Sequence, residues 1–183
     1  EQRFDDMEAF NACLHPFIRN TVGCMEFGGT FLNKRYNRTN DGGTIRRTSD
    51  AFQLATAILF QNPVQNFAIT PNNLTDAPQA AIEFMKSVPT TWDETRFIDG
   101  YPGKYCVLAR RHADKWYVVG INATAEPLKL ELDLSALGFT AGDTAVSYED
   151  NKEMQLLRKE LQIKNPAKVS VTIYPNGGLT MIK

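Results

Sequence analysis

General acid–base chemistry at neutral pH is carried most often by histidines and carboxyl groups held within reach of the reacting atoms. The chain has 21 acidic residues but only two histidines, and its acids are scattered rather than paired. Glu26 is the best-placed carboxyl, because it ends a segment expected to be a barrel strand and barrel chemistry sits at the C-terminal ends of strands. Beyond Gly28-Gly29, the segment TFLNKRYNRTNDGGTIRR has no clear period and gathers Lys34, Arg35, Arg38, Arg46 and Arg47. Long irregular loops in compact domains often bind something, which makes Lys34 and Arg35 candidates for substrate contact. The same cations would equally suit a solvated loop, or pairing with acids of an adjoining region. Cys13, Cys24 and Cys106 have no metal-ligand spacing and lie among apolar neighbours, which predicts three buried free thiols. Trp92, Trp116, Tyr105 and Tyr117 could stack on sugar rings, although aromatics on strands usually pack a core. His112 falls in a turn beside Arg110 and Arg111, where a solvated hairpin tip outweighs a catalytic base.

The elements that must hold these groups change character near residue 90. Phe4, Met7, Phe10, Leu14 and Phe17 recur at helical steps up to Pro16, and Thr21 to Phe27 is predicted as a buried strand. Thr48 or Ser49 can cap a helix reaching about Gln61, so apolar around its circumference that it must be buried on most sides. An amide-rich connector, Val64 to Leu74, follows, its Asn and Gln side chains suited to helix capping or to bracing a neighbouring loop. A second helix is expected from Thr75 or Asp76 to Pro89, with Pro78 in its first turn. After residue 90, short alternating segments predict about seven antiparallel strands. These include hairpins at 112–114 and at Pro175-Asn176-Gly177-Gly178, and Leu156 to Ile163 is taken as a strand. The expected fold class is α+β. Residues 1–89 form the end of a parallel α/β barrel and residues 90–183 an antiparallel β-sandwich.

At 43% hydrophobic residues the chain can bury a core, and its net charge of -1 argues against nucleic-acid binding, which relies on unbalanced cations. No apolar run approaches a membrane span, and no signal-peptide pattern opens the chain. It begins at Glu1 rather than Met, so a segment of a longer polypeptide is expected.

The run PFIRNTVGCMEF (16–27) resembles a block near the end of the catalytic barrel in glycoside hydrolase family 97. So do DAFQLATAILFQNPVQNFAITPNNL (50–74) and SVPTTWDETRFIDGYPGKYCVLARRHADKWYVVGINA (87–123). The resemblance covers nearly the whole chain and is weakest from about Thr140 to Lys168. It implies the C-terminal portion of an α-glucosidase or α-galactosidase acting on α-linked oligosaccharides. It also implies that calcium is required, that the protein is periplasmic or secreted, and that most catalytic carboxylates and the calcium ligands lie upstream. The remaining partner would then be the missing N-terminal part of the same protein. Within this chain Glu26 stands where the family more often shows Asp, and Arg19 matches its Pro-Phe-Thr-Arg pattern with Ile18 in place of Thr. No loop here offers the six to eight oxygens that calcium takes, so no metal ligand is expected, and the chain alone is expected to be inactive. The alternative is a non-catalytic carbohydrate-binding or structural interface module, which predicts a row of exposed aromatics or an apolar face left open on the helices.

Overall fold

The computed structural model describes residues 1–27 and 29–183. Three short helices open the chain: α1 (Gln2–Asp6), α2 (Glu8–Ala12) and α3 (Arg19–Val22). The single N-terminal helix expected from periodicity is broken at Met7, whose N–H turns back to the Phe4 carbonyl in a tighter turn. The buried strand expected over Thr21 to Phe27 does not form: residues 23–26 are irregular, Thr21, Val22, Cys24 and Glu26 are exposed, and Phe27 makes an isolated bridge. The Thr21 hydroxyl donates to the Ile18 carbonyl at 2.7 Å and holds Thr21 and Val22 in a helical turn, so extended chain begins only after Gly23.

Helix α4 (Asp50–Leu59) is the centre of the structure, and all ten of its residues are buried. Ser49 caps it, accepting the Phe52 N–H at 2.9 Å. Two helices follow where one was expected: α5 (Asn73–Asp76) and α6 (Gln79–Ser87). Proline is the reason. Ala77 precedes Pro78 and is forced into extended backbone (ψ 153), so α6 starts after the proline instead of through it. Val88, ahead of Pro89, ends α6 in the same way. None of the described helices is long and apolar enough to cross a membrane.

Eight strands follow: β1 (Glu94–Tyr101), β2 (Tyr105–His112), β3 (Lys115–Asn122), β4 (Leu128–Leu132), β5 (Thr144–Asp150), β6 (Leu156–Gln162), β7 (Val169–Ile173) and β8 (Gly178–Ile182). They form a six-stranded antiparallel sheet in the order β1-β2-β3-β8-β5-β6 and a two-stranded sheet, β4-β7. The β2–β3 hairpin and the β6 strand lie where the sequence places them. The last turn does not make a hairpin. Pro175 to Gly178 lifts the chain from the edge of the small sheet into the middle of the large one, where β8 pairs with β3 and β5.

The large sheet is covered on both sides, which makes a three-layer stack of helix, sheet and sheet. On β2, Cys106 and Leu108 pack toward α4, while Val107 and Ala109 pack toward β4 and β7 together with Leu132, Val169 and Ile173. Burial on two faces explains why β2 and β3 run as continuous apolar stretches instead of alternating. Helix and sheet meet closely at Gly178, where a Cβ would fall 2.5 Å from the Phe52 backbone. Glycine is the residue that permits this approach.

Both ends of α4 are held by side chains of the large sheet. At the N-terminus, the Ser49 hydroxyl donates to Asp150 Oδ2 at 2.6 Å, and the Gly178 N–H donates to the same oxygen at 2.9 Å. At the C-terminus, Arg110 Nε donates to the Ile58 carbonyl at 2.8 Å and Nη2 to the Leu59 carbonyl at 3.0 Å, while Nη1 reaches Thr95 Oγ1 at 2.6 Å. An acid at the positive end and a cation at the negative end both suit the helix dipole. Arg110 takes two of the last carbonyls, and α4 stops at Leu59 rather than running on to Gln61. Burial depresses the Arg110 guanidinium to about 10, which leaves it charged at neutral pH. It raises the Asp150 carboxyl to about 6 against the opposing pull of its hydrogen bonds.

Candidate functional site

The chain on either side of α4 forms a parallel pair of extended segments. Phe27 bridges Gln65 in parallel register. The Met25 N–H donates to the Gln61 carbonyl at 2.9 Å, the Asn62 amide to the Phe27 carbonyl at 2.9 Å, and the Ala68 N–H to the Gly29 carbonyl at 3.2 Å. Segment, helix and parallel segment follow one another in the order of a βαβ unit, and α5 and α6 come after. The amide-rich connector of the sequence is therefore the second strand-like segment of this unit.

Side chains alternate across an extended backbone, and burial shows which way each one points. Met25, Phe27 and Phe67 pack against the α4 core, with Phe27 edge-on to Phe60. Cys24, Glu26, Asn66 and Ala68 occupy the intervening positions and are exposed on the face turned away from α4. Cys24 thus departs from the expectation of three buried thiols, whereas Cys13 and Cys106 are fully buried. Burial pushes both of those thiols up to about 12.

The loops that leave the top of the unit are braced to each other. Asn33, almost fully buried, donates to the Asn37 carbonyl at 2.9 Å and to Thr70 Oγ1 at 3.0 Å. Its side-chain oxygen Oδ1 accepts from the Asn72 amide at 2.9 Å and the Asn73 amide at 2.7 Å. Of the two roles expected for the connector's amides, bracing is the one seen: Asn73 Oδ1 accepts the Thr70 N–H ahead of α5, which has no side-chain cap, and the amides fasten the cationic loop to the next strand's loop.

Of the candidate side chains, Glu26 alone stands on the exposed face of the strand pair. Arg19 is exposed on α3 and donates to the Gly23 carbonyl at 3.4 Å. Lys34 pairs with Asp50 at the start of α4 at 3.2 Å, and Arg35 Nη1 donates to the Gly43 carbonyl of its own loop at 3.3 Å. Buried Arg46 also pairs with Asp50 and donates to the Asn33 and Leu32 carbonyls, and Arg47 pairs with Asp6 at 2.8 Å. The cations of this loop are thus largely absorbed by partners within the chain.

A second acid, Glu8, sits at a cavity of about 270 Å³ that Asp5, Tyr36, Phe27 and Phe60 help to line. It is held by three donors: Tyr36 Oη at 3.0 Å, Thr48 Oγ1 at 3.0 Å and Gln53 Nε2 at 2.6 Å. Burial and the Glu8 charge together push the Tyr36 phenol upward. Because Phe27 faces this cavity, its neighbour Glu26 faces the opposite side. Glu8 and Glu26 therefore cannot flank one scissile bond. Among the described residues no three His, Cys, Asp or Glu side chains gather as a metal site.

None of the four candidate aromatics is exposed, although Phe97 and Tyr101 on edge strand β1 are. Tyr117 is buried and packs edge-on to Trp92 beneath the helix layer, while Trp116 and Tyr105 pack against the core on the other side of the sheet. Nor is an apolar face left open on α4, where Leu59 is fully buried.

Comparison with known proteins places the chain in context. The family described as "Glycosyl-hydrolase 97 C-terminal, oligomerisation" matches residues 91–182. A probable retaining alpha-galactosidase of Streptomyces bingchenggensis is 32% identical over 169 residues, covering 91% of this chain and 24% of that protein. A retaining alpha-galactosidase of Bacteroides thetaiotaomicron is 31% identical over 179 residues, covering 91% of this chain and 26% of that protein. The chain thus spans about a quarter of the length of these relatives. A crystal structure of a beta-arabinopyranosidase superposes on the whole chain with a TM-score of 0.95 and 61% identity, over 29% of its own length. A family 97 enzyme from Pseudoalteromonas sp. strain K8 shares the fold at 21% identity and a TM-score of 0.77, over 95% of this chain and 28% of that one.

Proposed function

Since the chain belongs to glycoside hydrolase family 97, we propose that it is the C-terminal part of an exo-glycosidase that removes galactose-configured residues, β-L-arabinopyranosides foremost. The observation that carries this reading is the 61% identity, over the whole chain, to a structure described as a beta-arabinopyranosidase. The curated relatives described as alpha-galactosidases fit the same reading. A β-L-arabinopyranoside has the ring configuration of an α-D-galactopyranoside from C1 to C4 and lacks only the hydroxymethyl group at C5. One pocket can therefore accept both, and the space around C5 decides which is preferred.

In this reading the βαβ unit supplies the last strands of a catalytic barrel, whose chemistry lies at the C-terminal ends of its strands. A retaining mechanism places two carboxyl groups about 5 Å apart, one as nucleophile and one as acid and then base. Only Glu26 is offered from this chain, so the pair is carried upstream, as are the ligands of any calcium. The sandwich acts mechanically. Through Asp150 and Arg110 it fixes α4, and through α4 it fixes the two strand-like segments.

The test is hydrolysis by the full-length polypeptide of p-nitrophenyl β-L-arabinopyranoside, α-D-galactopyranoside and α-D-glucopyranoside. The first two are expected to turn over, the arabinoside with the higher kcat/KM. Turnover of the glucoside alone would overturn the assignment. The 183-residue chain by itself is expected to be inactive on all three.

A further inference from the structure

The strand pair identifies a second polar side chain that the sequence pattern did not single out. Phe27 bridges Gln65, and both side chains lie on the α4 side of the pair. Their neighbours Glu26 and Asn66 therefore share the opposite face, where both are exposed. Because the two segments run parallel, Asn66 stands one step nearer the C-terminal end of the pair than Glu26 does. The next residue on that face of the second segment is Ala68, also exposed, and the Ala68 N–H bonds to the Gly29 carbonyl. A methyl group above Asn66 leaves the amide open from the top of the pair, where the loops bearing Asn33 and Asn72 begin.

In a βαβ unit the helix covers the outer face, so the face turned away from α4 is the interior of the barrel. Polar groups in the upper interior of a barrel border its active site, whereas those at the lower end serve packing. An amide offers both a donor and an acceptor, which suits it to a vicinal pair of sugar hydroxyls. It also leaves the charge of a neighbouring carboxylate unopposed. Gln65, one residue earlier, is turned the other way and accepts from the Asn62 amide at 3.3 Å.

We propose that Asn66, beside Glu26 on the interior face of two neighbouring barrel strands, contacts the sugar and hydrogen-bonds hydroxyl groups of the glycone in the full-length enzyme. This rests on the reading of the chain as the end of a galactose-configured glycosidase barrel. Asn66 is a binding and specificity residue, and the catalytic carboxylates are elsewhere.

The experiment uses the full-length enzyme with p-nitrophenyl β-L-arabinopyranoside as substrate and free L-arabinose as inhibitor. Asn66→Ala is expected to lower kcat/KM about tenfold or more and to weaken arabinose inhibition by a similar factor, as loss of hydrogen bonds to a bound sugar would. The thermal midpoint is expected to stay within about 2 °C of wild type, a shift too small to signal loss of folding stability. Asn66→Asp, which keeps the shape and adds a charge beside Glu26, is expected to shift the acidic limb of the kcat/KM profile upward. Gln65→Ala serves as the opposite-face control, with unchanged inhibition by arabinose. Wild-type kcat/KM and wild-type inhibition in both Asn66 variants would overturn the proposal. So would equal losses in Asn66→Ala and Gln65→Ala, because the effect would then be one of folding. If the wild-type enzyme hydrolyses none of the galactose-configured glycosides, the underlying reading fails instead, which is a separate result.

Discussion

Asp150 and Arg110 grip opposite ends of one helix. The carboxylate of Asp150, on β5, meets the Ser49 hydroxyl at the start of α4, and the guanidinium of Arg110, on β2, meets the Ile58 and Leu59 carbonyls at its end. The two strands are not adjacent, since β3 and β8 lie between them in the sheet. The helix is thus laid across the sheet and pinned at both ends, and the strand-like segments that enter and leave it inherit that fixed position.

The two pins respond differently to pH. Asp150 carries the sharper signature, because burial raises its carboxyl from 3.8 to about 6. The folded state therefore holds this proton to higher pH than the unfolded chain does. The contribution to stability is complete below about pH 4 and is lost as pH rises through about 6, with a ceiling of about 3 kcal/mol. Asp150→Asn keeps an acceptor for Ser49 and cannot ionise. Urea denaturation at pH 5 and pH 8 should show this slope in the wild type and its loss in the variant, with the variant the more stable at pH 8. An unchanged slope would mean that the proton is carried elsewhere.

Arg110 stays charged through neutral pH, so its removal should cost the same at pH 5 and pH 8. Arg110→Met fills a similar volume but abandons two buried helix carbonyls and the Thr95 hydroxyl. The expected loss is roughly 3 kcal/mol, read as a lower urea midpoint. A loss under about 0.5 kcal/mol, typical of surface substitutions, would show that water replaces the guanidinium at no cost.

Gly178→Ala tests the contact between helix and sheet. The added Cβ would meet backbone atoms of Ala51 and Phe52 at 2.5–2.6 Å, which cannot rotate aside as a side chain could. Overpacking of this kind costs roughly 1–3 kcal/mol. The same substitution at Gly138, which has open space around it but a φ of 73, should cost about 1 kcal/mol from backbone strain alone. Thermal midpoints of the two variants should therefore rank Gly178→Ala below Gly138→Ala.

Most of the strands were legible because period-two patterning is local. Leu128, Leu130 and Leu132 alternate with Lys129 and Glu131, and they form β4. What escaped the sequence depended on distant partners. Nothing near Asp150 marks it as a helix pin, because Ser49 lies 101 residues away. The turn at Pro175 to Gly178 has hairpin chemistry whether or not the two flanking strands pair, and here they go to different sheets. Glu26 is legible from its place at the end of an expected barrel strand. Asn66 was hidden, because Gln65 and Asn66 are both polar and only the bridge to Phe27 reveals which of them faces inward.

Asn33 offers the most direct link from this packing to catalysis. It joins the loop after the first strand-like segment to the loop after the second through three hydrogen bonds, makes a fourth to Asn37 in its own loop, and is almost fully buried. Asn33→Ala leaves the Asn72 and Asn73 amides and the Thr70 hydroxyl to find new partners, at roughly 2 kcal/mol or more. The damage should stay local, because α4 and the sheet do not depend on these bonds. Hydrogen exchange is expected to speed up across residues 30–46 and 70–76 while β2, β3 and α4 keep their protection. If these loops border the active site of the full-length enzyme, kcat/KM on p-nitrophenyl β-L-arabinopyranoside should fall with them. Faster loop exchange without any change in kcat/KM would place the loops away from the substrate.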